Sequence, residues 1–484
     1  MKKKINRLYA ERIFLIVVFL LVFILDLWSV RLSHGWDEAV YLQHADILFE
    51  GKTNYNEFAF RPPLLPILFY MGYFFSHSAV CTHIIVAFIC AMIPVFVYLI
   101  AKNIYDTKTA VVSVLLFLSC SLIYEHSHFL ITDIPALSLT MISFFFLIRG
   151  GQTKNKRHFI LAGFFTALAI LMKFTSFLLI PIFLIYIYFE KIRIEYLKSY
   201  ILSLLITMFP YFAWAQITQG FFLKPFFYAV EFVSDLNKPF YYYAINLSET
   251  YSHLCILGLV LFFIFSFVLL RVNMKTKSNE ILIDLRIKTG TYFSKKDIFF
   301  IIWILSFLFL FSFAIQHKEI RYLFPITLPL LLLSARGYCN VSSYLKNRKY
   351  IFVFIFSLMF LISFINIAPI KDKNLNPSFI NQWQSEEDIV SDYINNNLTD
   401  ANCIYTNNNY PVFAYNTNID VFALCLHPNI FFNSFPENMK KNCLFILYKN
   451  LETQPKQEWF DNSLQFKKIK EFENIILYDY IYKK

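Results

Sequence analysis

The chain has 484 residues, 57% hydrophobic and only 16% charged, with a mean hydropathy of +0.51. A soluble domain carries about 25% charged residues, so a single water-soluble core is excluded and lipid is the expected solvent for much of the chain. The net charge of +11 does not point to nucleic acid: residues 371–484 hold 11 Lys/Arg and 14 Asp/Glu, so the basic excess lies before them, where basic cytoplasmic loops are expected.

Met1-Lys2-Lys3-Lys4 reads as the start of a signal segment. No small-x-small cleavage site follows the apolar run Ile13–Val30, which predicts an uncleaved anchor. A spanning helix needs about 20 apolar residues. On that length the chain offers roughly eleven spans, near 13–30, 79–101, 109–127, 134–149, 158–172, 174–190, 199–216, 253–271, 298–315, 322–338 and 350–368. The fifth and sixth are short and joined by a tight turn at Lys173. With the N-terminus inside, the cytoplasmic pieces 1–12, 102–108, 149–157, 191–198, 271–297 and 336–349 collect about 25 Lys/Arg, against about 8 on the outer side before the tail. An odd number of spans places the tail outside.

The outer segments are then 31–78, 128–133, 217–252 and 316–321. The first is long and partly apolar, and its spacing predicts two helices lying at the membrane surface. Tyr-rich 217–252 fits an interfacial aromatic belt. Residues 371–484 predict a small α/β domain, with a helix over Glu386–Leu398 and strands at Cys403–Tyr405, Val421–Leu424, Leu444–Tyr448 and Ile475–Tyr478. Its three cysteines, Cys403, Cys425 and Cys443, allow at most one disulfide within it, and none of the eight cysteines has metal-ligand spacing. The expected division is 1–370, the membrane part with its outer loop 31–78, and 371–484, the outer domain.

Chemistry concentrates on the outer face. Trp36-Asp37-Glu38 puts two adjacent carboxylates just past the first span, where hydrocarbon cannot solvate them. Asp37 also begins a helical pattern, so capping is the plainer reading. Arg61 precedes Pro62 and Pro63, whose fixed φ sets the direction of the next helix; a guanidinium pinned there suits a phosphate, and a snorkelling arginine is the plainer reading. Asp133 opens the fourth span, where a helix cap again competes with function. Glu125, His126 and His128 precede it without a diagnostic metal spacing. Lys173 and the cluster His317-Lys318-Glu319-Ile320-Arg321-Tyr322 add basic groups on the outer side, against the usual charge bias. Basic groups beside carboxylates at a lipid boundary suit a lipid phosphate, with a carboxylate ready to take a proton.

Trp36-Asp37-Glu38 with Tyr41, Arg61-Pro62-Pro63-Leu64, Thr132-Asp133, Leu171-Met172-Lys173 and Arg321-Tyr322-x-x-Pro325 occur in that order across nearly the whole chain. In this order they resemble the GT-C membrane glycosyltransferases, in the branch of aminoarabinose transferases and protein O-mannosyltransferase-like enzymes. The resemblance implies an α-helical polytopic membrane protein with a small outer domain. It implies transfer of a sugar from a polyprenyl-phosphate carrier to a lipid, glycan or protein acceptor outside the cytoplasmic membrane. Asp37, Glu38 and Asp133 would then be the catalytic carboxylates, and Arg61, Lys173 and Arg321 the donor-phosphate ligands. Trp36, Tyr41, His317 and Tyr322 would line the substrate pocket. Many relatives carry Glu-Lys before the two prolines, and that Glu can ligate a metal; here the pair is Phe60-Arg61. No cofactor is therefore expected, a divalent cation being the one the family pattern leaves room for. Two competing readings are a lipid-linked-sugar flippase or polysaccharide polymerase, and a non-catalytic scaffold whose tail binds a partner. Transporters place charges at mid-membrane, which most of these spans lack.

Overall fold

The computed structural model describes residues 2–28, 34–50, 61–231, 238–275, 293–315, 318–345, 349–365, 384–406, 408–417, 419–423, 443–449, 451 and 454–480. Over their described residues, all the predicted apolar runs are largely helical, because only an element that satisfies its own backbone groups can lie in lipid. In chain order the helices are α1 (Lys2–Trp28), α2 (Trp36–Glu50), α3 (Leu64–Tyr73), α4 (Ala79–Ile104), α5 (Thr107–Leu118), α6 (Ser121–Ser127), α7 (Asp133–Thr153) and α8 (Lys156–Met172). They continue as α9 (Leu179–Phe189), α10 (Ile194–Gln219), α11 (Lys224–Glu231), α12 (Tyr242–Thr250), α13 (His253–Lys275), α14 (Lys295–Phe309), α15 (Thr327–Tyr344) and α16 (Lys349–Ile365). The expected pair of helices in the first outer segment is present as α2 and α3.

Among the described residues, five helices are long and apolar enough to cross a membrane, or up to seven if each of two bent pairs makes one span. One such pair is α5 with α6, bent by 66°. Phe174–Phe189 and Tyr350–Ile365, expected as spans, are apolar but shorter. The protein is a multi-pass membrane protein, mostly helical.

The chain divides into two compact units. The first comprises Met1–Trp28, Pro62–Leu64 and Val86–Pro377. Within it α7 packs on α8, α8 on α10, and α15 on α5 and α13. Small residues permit the close approaches: a Cβ on Gly337 would collide with the backbone of α13 at Gly258 and Phe262. Asp297 is fully buried and held by Arg336 at 2.7 Å, by the Tyr105 hydroxyl at 2.5 Å, and by its own capping box with Ser294.

The second unit comprises Ser29–Arg61, Leu65–Ile85 and Ser378–Lys484. Its tail adds α17 (Glu386–Asn397), α18 (Tyr410–Thr417) and α19 (Gln457–Asp461) to strands β1 (Cys403–Thr406), β2 (Asp420–Ala423), β3 (Cys443–Tyr448), β4 (Phe466–Glu471) and β5 (Ile475–Tyr480). The sheet order is β2-β1-β3-β5-β4, with β1 parallel to β2 and β3, and β5 antiparallel to β3 and β4. Successive side chains alternate between two buried faces: Leu444, Ile446, Ile475 and Leu477 on one, Phe445, Leu447, Ile476 and Tyr478 on the other. Burial on both faces explains why β3 reads as a continuous apolar run. Strand β4, not among the expected strands, reads Phe-Lys-Lys-Ile-Lys-Glu; it is a mostly exposed edge whose lysines discourage pairing with another chain.

Cys403 and Cys443 sit opposite each other on β1 and β3 and form a disulfide. Cys425 lies outside the described residues. The bridge closes a loop spanning 40 residues, which the chain-entropy account values at about 4 kcal/mol. The paired substitution Cys403→Ser/Cys443→Ser is expected to destabilise this domain by about that amount. Chemical-denaturant unfolding of the full chain, with and without reductant, checks this; a midpoint insensitive to both would contradict it.

Candidate active site

Two polar centres are built, one in each unit. In the second unit, Gly35 precedes α2, and the Ala39 amide donates to its carbonyl at 3.0 Å. Glu38, three residues on, is buried, and its carboxylate accepts the Gly35 amide at 2.8 Å. This is one half of a capping box, so Glu38 secures the helix start. Asp37 beside it points elsewhere: Arg61 donates to its Oδ1 at 2.9 Å, with the side chains 28% and 24% exposed, respectively. The Arg61 guanidinium also lies over the Tyr41 ring, 5.9 Å from its centre. Burial works against the Arg61 charge, but Tyr41 and Asp37 outweigh it and hold the group above its ordinary pKa. Asp37, Arg61 and Tyr41 thus form one charged, partly exposed cluster at a helix N-terminus.

In the first unit, Thr132 takes the cap position before α7 without a side-chain cap bond, and Asp133 is the first helical residue. The Asp133 side chain, 4% exposed, is bonded by Lys173 and stands 3.8 Å from the Arg321 guanidinium. Lys173 leaves α8 in an extended conformation, which frees its side chain from the helix direction. Its ammonium lies 5.1 Å from the centre of the Tyr322 ring. Arg321 comes from the 3-10 segment Ile320–Ile326 and is also paired with Glu319. Together Asp133, Lys173, Arg321 and Tyr322 line a cavity of about 20 Å³ with Thr140, Thr175 and Ser176. Such a volume holds water.

Long stretches of sequence separate Asp133, Lys173 and the adjacent pair Arg321-Tyr322, and the fold brings them to one pocket. It likewise joins Asp37, Arg61 and Tyr41, with Trp36 next in sequence. His317 lies outside the described residues. Thr140, Thr175 and Ser176 were not expected in the pocket; their only signal was hydroxyl residues one or two turns from Asp133 and Lys173. The Nδ1 atoms of His126 and His128 lie 2.9 Å from the carbonyls of Leu122 and Tyr124, four residues back along the chain. Among the described residues no group of three or more His, Cys, Asp and Glu side chains could hold a metal ion. Asp37 faces a guanidinium and Glu38 a backbone amide, so these two carboxylates are not arranged as a divalent-cation site.

The model of the dolichyl-phosphate-mannose-protein mannosyltransferase family matches residues 61–214. No curated protein matches the chain. Among solved structures, ArnT from Cupriavidus metallidurans bound to undecaprenyl phosphate is similar over 97% of this chain and 98% of its own, at 12% identity and a TM-score of 0.69. The oligosaccharyltransferase of Archaeoglobus fulgidus is similar over 90% of this chain and 69% of its own, at 11% identity and a TM-score of 0.60. The chain has the GT-C fold. A second structure of the archaeal enzyme, in complex with an inhibitory peptide and a dolichol-phosphate, is similar over 85% of this chain and 64% of its own, at 11% identity and a TM-score of 0.55. The GT-C likeness to ArnT extends over the tail as well as the helices, since it covers nearly all of both chains.

Proposed function

We propose that this protein is a membrane glycosyltransferase that moves a sugar from a polyprenyl-phosphate donor to a lipid, glycan or protein acceptor on the outer side of the cytoplasmic membrane. The observation that carries the reading is the pocket of Lys173, Arg321 and Asp133 in a chain of GT-C fold. Two cations meeting one buried carboxylate beside apolar helices suit a lipid-borne phosphate. Solved relatives in the comparison hold undecaprenyl phosphate and dolichol-phosphate.

In the proposed reaction the acceptor hydroxyl gives its proton to Asp37 as its oxygen attacks the anomeric carbon. The bond from that carbon to the phosphate oxygen breaks, and polyprenyl phosphate leaves with the electron pair. Lys173 and Arg321 stabilise the charge that develops on it, and Arg61 orients Asp37. Attack opposite the leaving group inverts the anomeric centre. Glu38 contributes by holding the helix that carries Asp37, and Asp133 by holding the cations in place. Residues 1–370 form the membrane part in this reading, and 371–484 an outer domain. The basic bias of loops 1–12, 102–108, 149–157, 191–198, 271–297 and 336–349 supports that sidedness. The Cys403–Cys443 bridge supports it independently, because such bonds persist in oxidising compartments.

The test is turnover by the purified full chain in proteoliposomes. Undecaprenyl phosphate carrying labelled mannose, glucose or aminoarabinose is supplied with envelope lipid extract as acceptor. Release of undecaprenyl phosphate with label moved to the acceptor is expected for at least one sugar. Intact donor in every case, with the protein folded, would overturn the assignment.

A further inference from the structure

Asp37 sits at the start of α2, and the far end of the chain reaches that same helix. The Tyr410 ring meets the Trp36 indole edge to face, with centres 4.2 Å apart. Two turns further along α2, the Gln43 side chain donates to the Pro411 carbonyl. Tyr415 packs edge-on against His34, just before the helix, at 5.5 Å. Helix α18 thus lies against α2 inside the second unit.

Tyr410 is presented by an unusual backbone. Asn409 has φ +49°, the left-handed region that Asn tolerates better than most residues. Its side-chain amide donates to Glu387 Oε1 at 2.6 Å, and the Tyr448 hydroxyl donates to the same oxygen at 3.0 Å. Glu387 belongs to the first turn of α17 and Tyr448 to the end of β3. The sheet domain therefore anchors the residue that aims Tyr410. Trp36, next to Asp37, and Tyr410 are each partly exposed.

We propose that Tyr410 is a positioning residue of the Asp37 site, and that the Trp36–Tyr410 pair is an aromatic wall on which the donor's sugar ring rests. Aromatic faces carry negative charge density, which matches the weakly positive C–H face of a pyranose. Tyr410 acts by fixing the indole, so the tail domain contributes to donor recognition without supplying a reacting group. This inference rests on the glycosyltransferase reading above.

The test compares Tyr410→Ala, Tyr410→Phe and Asn409→Gly in the full chain, using whichever of the three labelled undecaprenyl-phosphate sugars the wild type turns over. Tyr410→Ala is expected to raise KM for that donor about ten-fold, with less change in kcat. Binding of bare undecaprenyl phosphate, which has no sugar to rest on the wall, should be unchanged. Tyr410→Phe keeps the ring and should restore wild-type KM. Asn409→Gly keeps the left-handed backbone but loses the Glu387 bond, and should fall between. Thermal unfolding of each variant separates these effects from loss of fold. If Tyr410→Ala has wild-type KM, or weakens bare and sugar-bearing lipid equally, the wall is overturned while the glycosyltransferase reading stands. If the wild type turns over none of the donors, that reading fails first and the wall with it.

Discussion

Asp37→Asn is expected to reduce sugar transfer about a thousand-fold and to leave the fold in place. General-base groups contribute about 10²–10⁴-fold, and the amide cannot accept the proton of the attacking hydroxyl. Asparagine is nearly isosteric, and its carbonyl oxygen can still accept from Arg61. The ion pair it replaces is about a quarter exposed on each side, and pairs open to water contribute roughly 0–1 kcal/mol. Melting should therefore shift little. Single-turnover transfer in proteoliposomes measures the rate, and thermal unfolding measures the fold. Transfer within ten-fold of wild type by a folded Asp37→Asn protein would remove Asp37 from the chemistry.

Lys173→Ala is expected to have a different signature, a loss of both stability and lipid binding. It leaves the Asp133 carboxylate, 4% exposed, without its bonded cation. Breaking a buried pair by removing one partner costs about 3–5 kcal/mol. Arg321, 3.8 Å away, offsets part of this. Adding Asp133→Asn to Lys173→Met removes the stranded charge and should recover most of the stability. It should not recover binding of bare undecaprenyl phosphate, which needs the cation. Denaturant unfolding and a lipid-binding titration on both variants check the two arms. Unchanged binding by the stability-recovered double variant would mean that Lys173 does not hold the phosphate.

Those two residues also mark what can be read from a linear chain. Helices in apolar stretches are legible because length and hydropathy are local properties. Strand β3 was visible for the same reason, whereas β4 was hidden: an edge strand of lysines carries almost no apolar alternation. The carboxylates and cations beside the apolar runs were recognisable as unusual, but their pairing was not, since which cation meets which acid depends on packing between distant helices. Glu38 carried a signal that was passed over: an acid three residues after Gly35, at the start of a helical pattern, is the spacing of a cap. Asp26 carried another. A lone acid inside the first apolar run is rarely idle, and it is buried, accepting a bond from Ser127 at 2.5 Å. Tyr410 offered no signal at all, because its contact with Trp36 exists only once the tail has folded. The partner of Cys403 was equally closed to sequence, since strand register decides it.

The near-neutral balance around Asp133 has its own consequence. Lys173 and Arg321 already face Asp133 and Glu319, so in the proposed function an arriving phosphate would exchange one anion for another. If the proposed function holds, such a pocket would work as an ion exchanger, with the resident carboxylates as place-holders between turnovers. Its affinity for phosphate should respond less steeply to salt than that of a bare basic patch, and product release becomes the reverse swap.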